Sequence, residues 1–425
     1  MSLFSRNAFA TLAGLCAAFA LPLPAAAQDA PIPTILRLSL STFGGYDTDV
    51  TGTATDSDTA PSAPYGGGMV SLNFQKRTEK IAFSTRGSSD YRYYRTDSPV
   101  TAVSYSGNSA FAVDVTSRLN VSASVNALYS PRFVFSLLPI AGDVGTDSAP
   151  PPSDYGVSMD STASYVVGST AAFRVSRRST LNVAVSGGEQ KLLEDKIDLR
   201  TKSYGGGYSY AVTRYAKLRV GYTQQDSDYP SFGPIPARRY SHRSYDVGVD
   251  YSRPLSVSRR TTLSFGSGSS AIDNGLETFY NVTATAALRH QMGRTWEANA
   301  AYARGLGVVA GFAEPFFADS VNGNIRGQLA RRLALEVTAG YANGNVGHGS
   351  RAEDYVSFQA NTRLEWVVQR EHVGVYGNYY YYAYEFDTNT ALLASIPRQV
   401  DRHGVRLGLI FRFPLIRERM PRVTR

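Results

Sequence analysis

Cysteine is almost missing from this chain. The only one, Cys16, sits in an apolar N-terminal stretch, so no intrachain disulfide can staple the fold. Lysine is scarce, tryptophan occurs twice and histidine five times. Beyond residue 27 no apolar run approaches the ~18 residues that a membrane-spanning helix needs. No clustered Cys, His and carboxylate spacing marks a metal site, and no glycine-rich phosphate loop opens a helix, so neither a metal nor another cofactor is expected. The formal charge of +8 invites a nucleic-acid reading, but the arginines are dispersed into turns and not gathered into a stripe. Stability has to come from burial or from closure.

What is present begins with an export leader. Arg6 gives a positive start, Ala8 to Ala20 is apolar, and Ala25-Ala26-Ala27 before Gln28 has the small-x-small form of a cleavage site. Residues 1–27 therefore read as a signal peptide and Gln28 as the mature start. Lipidation at Cys16 is the weaker reading, because Leu15 stands where a small residue is wanted.

Tyrosine (28), phenylalanine (20) and glycine (38) are abundant, while mean hydropathy is slightly negative at −0.21. A wall with one face to lipid and one to water averages to such a value. The alternation is explicit. Leu36, Leu38 and Leu40 interleave with Arg37, Ser39 and Ser41; Leu119, Val121, Ala123 and Val125 interleave with Asn120, Ser122 and Ser124; Val405, Leu407, Leu409, Phe411 and Phe413 interleave with Arg406, Gly408 and Arg412. Side chains two apart on a strand share a face, so each segment has an apolar side and a wet side.

Arginine-bearing turns such as Arg177-Arg178, Arg259-Arg260 and Arg331-Arg332 precede these segments eight times, at intervals of about 34–46 residues with one longer gap. Each interval fits two crossing strands, a short turn and a loop. Counting from Ile35 gives about 18 strands, with 16 to 20 as the range. The expected fold is all-β: a closed antiparallel up-and-down transmembrane barrel over 28–413, followed by a basic tail from Pro414 to Arg425. A soluble sandwich also alternates. Against it stand the length of the apolar faces, the aromatics near strand ends (Tyr129, Tyr222, Tyr245, Trp296, Tyr341, Trp366) and connections expected to alternate strictly between short and long.

Leader, alternating strands and the closing strand Val405 to Phe413 resemble a Gram-negative outer-membrane β-barrel of the porin type. Residues Arg304 to Val321 are similar to stretches of outer-membrane barrel families without an assigned substrate. The resemblance implies delivery by the barrel-insertion machinery, contact with outer-membrane lipid and lipopolysaccharide, periplasmic arginine turns and outward loops. Those loops are expected at Gly44 to Pro64, Gly87 to Val100 and Ser130 to Thr162. The last carries Phe133, Phe135, Leu137 and Leu138, which either fold inward as a constriction or form a surface cap or a homo-oligomer contact.

A tube of this size is a pore unless plugged. Expected pore-lining residues are Arg219, Arg289, Arg326, Arg363, Arg406 and Arg412, with Tyr376 and Tyr380. Arginine on a lumen favours anions. The alternative is that these arginines only pair with wall acids, as Arg326 with Glu336. The tyrosines either line a solute path or belong to an outer girdle, the second being the plainer reading. Among the histidines (His242, His290, His348, His372, His403) none sits in a nucleophile motif, so no enzyme is expected. The expected function is passive diffusion of small hydrophilic solutes with mild anion preference. A non-transporting surface barrel (adhesin, assembly or polysaccharide-export partner) stands second and an outer-membrane hydrolase third.

Overall fold

The computed structural model describes residues 34–50, 62–97, 99–132, 160–231, 237–251, 261–273, 278–308, 312, 314–347, 353–369, 372–387 and 397–417. The leader and the expected constriction residues Phe133, Phe135, Leu137 and Leu138 lie outside them, as does 418–425.

Eighteen strands follow in chain order. They are β1 (Ile35–Asp47), β2 (Ala63–Arg77), β3 (Ile81–Tyr94), β4 (Val100–Asp114), β5 (Leu119–Ser130) and β6 (Thr162–Arg174). Next come β7 (Ser179–Leu192), β8 (Ile197–Ala211), β9 (Ala216–Tyr229), β10 (Arg238–Tyr251), β11 (Thr261–Asp273) and β12 (Thr278–Met292). The last six are β13 (Trp296–Gly307), β14 (Phe316–Ala330), β15 (Leu333–Val346), β16 (Glu353–Gln369), β17 (Val373–Phe386) and β18 (Gln399–Arg417). Each pairs antiparallel with its neighbours, and β1 pairs with both β2 and β18, so the sheet closes without an edge. Closure matters because an open edge would leave a row of unpaired amides, which lipid cannot solvate.

The shortest strands have 12 residues. That is about 40 Å of chain, or about 30 Å along the axis at a tilt of about 40°, enough to cross hydrocarbon. Residues directly opposite in the register share a face, which fixes the two sides of the wall. Outward stand Val70 and Leu72, Leu181, Val183 and Val185, Leu218 and Val220, Val247, Val282 and Leu407, all exposed. The expected girdle residues Tyr129, Tyr222, Tyr245, Trp296, Tyr341 and Trp366 also face out, with Tyr222 and Tyr245 in contact at 5.3 Å between ring centroids. An apolar outer face of this height, bordered by aromatics, makes the fold a transmembrane β-barrel.

Three sequence expectations change. The second loop is only residues 95–99, because Gly87 to Tyr94 continue β3; Asp90 and Arg92 keep the period of two and only look like loop polarity. Connections do not alternate strictly in length. Residues 193–196 join β7 to β8 in a four-residue turn with Lys196 at φ 55°, whereas nine residues, 252–260, join β10 to β11 on the other rim. The tail expected from Pro414 begins later, since β18 runs on to Arg417 and pairs Pro414 with Arg37 across a bulge at Leu36/Arg37. Proline lacks an amide donor, and an irregular register is where a sheet accepts it.

Candidate functional site

The inner wall is the candidate site. Its chemistry follows from which residues the register turns inward, and it differs around the circumference.

Over β4 to β8 most inward positions below the loop rim carry Ala, Ser, Asn, Thr or Gly, among them Asn108, Ser122, Ser124, Asn126, Ser186, Ser203 and Gly205. Hydroxyls meet across strands, as in Ser122 with Thr170 at 2.6 Å and Ser88 with Ser106 at 2.6 Å. These short side chains border a cavity of about 880 Å³ that extends on one side to Gln75, Lys76, Arg77 and Ser84 of β2 and β3 and on the other to Arg219 and Asp246.

Over β13 to β18 one row across the strands reads Glu297, Arg326, Glu336, Arg363, Asn378, Arg406, each opposite the next in register. Two arginines share each of two glutamates. Arg289 (2.7 Å) and Arg326 (3.0 Å) both reach Glu297; Arg363 (3.1 Å) and Arg412 both reach Glu365. With Glu336 standing between Arg326 and Arg363 in the same row, these four arginines exceed the three glutamates by one positive charge. A second cavity of about 390 Å³ lies against Glu297, Arg326, Glu336, Arg363 and Glu365. The expected pairing of Arg326 with Glu336 is not the one formed. Glu336 stands opposite Arg326 but takes the Asn324 amide at 3.3 Å, leaving Arg326 to Glu297. Arg219 pairs with Asp246 at 2.5 Å.

Tyr376 and Tyr380 are inward and buried, with Tyr382 and Tyr384, so the girdle reading fails for them. Opposite them on β18 stand Gly408 and Gly404, where any Cβ would run into the Tyr376 and Tyr380 rings. Glycine there lets each ring lie flat on its neighbour strand. The Arg363 guanidinium lies over the Tyr376 ring at 4.4 Å and Arg406 over Phe43 at 5.0 Å.

Toward the loop rim the interior packs more tightly. One buried cluster includes Leu192, Leu199, Tyr229, Tyr240, Phe316, Tyr355 and Phe386; another includes Phe43, Val50, Tyr65, Tyr94 and Tyr376. Beside the second lie Asp47, Asp90, Arg92, Arg132 and Arg402, all buried. Arg402 donates to Asp47 through Nε at 2.9 Å and through a terminal nitrogen, and Tyr380 Oη donates to the same carboxylate at 3.0 Å. Arg92 donates to Asp90 at 2.8 Å. These residues were not among the expected pore-lining set. Their signal was the stretch Asp90-Tyr91-Arg92-Tyr93, a strand pattern with its charges inward.

The described histidines take ordinary partners. His290 meets Thr261 Oγ1 at 2.7 Å, and His372 lies 3.1 Å from the Arg412 carbonyl oxygen. His403 faces outward between the Tyr379 hydroxyl (2.8 Å) and Asp401 (3.2 Å). His242 is on β10, and His348 lies outside the described residues.

No protein-family model matches this chain, and no curated protein matches it. Among solved structures, it is similar to Pseudomonas aeruginosa OccK2 (OpdF) in complex with glucuronate, at TM-score 0.45 and 10% identity over 90% of this chain and 98% of that one. Pseudomonas aeruginosa OpdL follows at 0.43 and 11% over 90% and 99%, and the siderophore receptor PirA of the same organism at 0.40 and 11% over 89% and 80%. Likenesses this distant add nothing to what the strand pairings establish: the described residues form a closed, 18-stranded antiparallel β-barrel.

Proposed function

We propose that this barrel is a passive diffusion channel of the Gram-negative outer membrane for small hydrophilic solutes, with a mild preference for anions. The observation that carries the reading is the wall itself. It closes with 18 strands, and over β4 to β8 its short inward side chains border the cavity of about 880 Å³. A barrel of this strand number holds water unless a segment fills it. The anion preference rests on the two arginine–arginine–glutamate groups, which with Glu336 between them leave one net positive charge on the lumen face. In this reading the apolar belt meets outer-membrane lipid. The outward Arg200, Lys202, Arg239 and Arg243 near the loop rim face lipopolysaccharide, and the barrel-insertion machinery delivers the chain.

The test is conductance of the purified protein in a planar bilayer. Discrete open channels with a reversal potential toward the anion in a salt gradient are expected; clear cation preference rejects the selectivity. The packed mouth favours a second reading, a surface barrel that transports nothing. Silence from folded protein in repeated bilayers would establish it.

A further inference from the structure

Seven ionisable side chains are buried near the mouth formed by β1, β3, β18 and the end of β5. They are Asp47, Asp49, Asp90, Arg92, Arg132, Arg402 and Arg406. Asp47 is held by Arg402 and Tyr380, and it accepts the Asp49 amide at 3.2 Å; Asp90 is held by Arg92. Four guanidinium groups face three carboxylates, so the cluster carries one excess positive charge.

Arg132 stands apart among the four guanidinium groups. It lies two residues past the end of β5, is 1% exposed, and places its guanidinium over the Tyr94 ring at 4.7 Å. None of its three guanidinium nitrogens has a hydrogen-bond partner among the described residues, and neither has the Tyr94 hydroxyl. Burial pushes the Arg132 pKa down most, and the nearby Arg402 and Arg92 charges push the same way against the pull of Tyr94 and Asp47. Guanidinium does not give up its proton in proteins, so its charge stays and has to be met. A planar fork of N–H donors fits two oxygens of one acid group, and a phenol beside it supplies a further donor.

We propose that Arg132 and Tyr94 form a binding site at the loop-side mouth for one compact oxyanion, a carboxylate or a phosphate. The bound anion would neutralise the cluster. The site goes beyond the channel reading, because binding can be read in detergent from protein that never meets a bilayer.

The experiment is thermal unfolding of the full chain in detergent, titrated with sodium acetate or sodium phosphate against sodium chloride at constant ionic strength. A saturable rise of the midpoint with acetate or phosphate is expected in the wild type. Arg132→Gln should abolish it. Tyr94→Phe keeps the ring and should weaken the apparent affinity about tenfold, the loss of one charge-assisted hydrogen bond; it decides the matter if Arg132→Gln does not fold. A response to acetate alone assigns a carboxylate, and a response to inorganic phosphate alone assigns a phosphate. A wild type that treats both anions as it treats chloride overturns the site, as does a response unchanged in Tyr94→Phe and Arg132→Gln.

Discussion

The wall from β4 to β8 and the wall from β13 to β18 have the same outer face and opposite inner ones. Outward, both show alternating aliphatic and aromatic side chains. Inward, β4 to β8 carry Asp114 and Arg174, both at the turn end, between serines, alanines and glycines. The later strands carry Glu297, Arg326, Glu336, Arg363, Glu365, Arg402, Arg406 and Arg412 with a ladder of tyrosines. Lipid constrains only the outer face. The lumen face is free to divide into a roomy arc and a charged arc, the first giving volume and, in the channel proposed above, the second giving discrimination.

The sharpest way to break this comparison is to remove one polar partner from each arc. Arg402→Gln strands the buried Asp47 carboxylate and should cost about 3–5 kcal/mol. Ser122→Ala, on the roomy arc, should stay within about 0.5 kcal/mol. Urea unfolding followed by the gel mobility of the folded barrel measures both, and equal losses would erase the distinction.

Selectivity should follow the charged arc. Glu365→Gln releases Arg363 and Arg412 and should move the reversal potential further toward the anion, by on the order of 5–10 mV in a tenfold gradient. Arg363→Gln should move it back. Conductance should follow the roomy arc: Ser186→Trp is expected to lower single-channel current by tens of percent. Ala334→Trp, beside the smaller cavity, should lower it less.

The smallest effect concerns Asp160, just before β6. Burial raises its pKa above the usual carboxylate value, helped by Asp195 and Glu194 and opposed by the Glu194 amide that donates to it at 3.1 Å. A raised acid stabilises the fold below its unfolded pKa, and that contribution is lost as pH climbs through the folded value. Wild type should therefore lose stability relative to Asp160→Asn as pH rises from the unfolded carboxylate value of about 4 through the raised folded one. Parallel curves would remove Asp160 from the account.

The strands were legible because their outer face obeys lipid. Ile35, Ile81, Leu119, Trp296, Leu333 and Val373 each begin a strand where the alternation begins. The inward parity of Arg219, Arg289, Arg326, Arg363, Arg406 and Arg412 was legible for the same reason. Partner choice was not, because it depends on side-chain reach. Arg326 has an acid opposite on either side and takes Glu297. The buried mouth was missed because Asp90, Arg92 and Asp47 look like loop residues; Asp90 and Arg92 pair within their own strand, whereas Asp47 meets its counter-charge, Arg402, only through a strand far away in sequence.

The Asp47–Arg402 pair joins residues 355 apart, on the first strand and the last. A barrel slipped by one residue at that seam would turn Arg402 to lipid and leave Asp47 bare inside. The pair thus tells the correctly closed cylinder from its misaligned rivals, and it can do so only after the final strand has arrived. Assembly of this chain carries its own end-point check, written into two residues that no solute need ever touch.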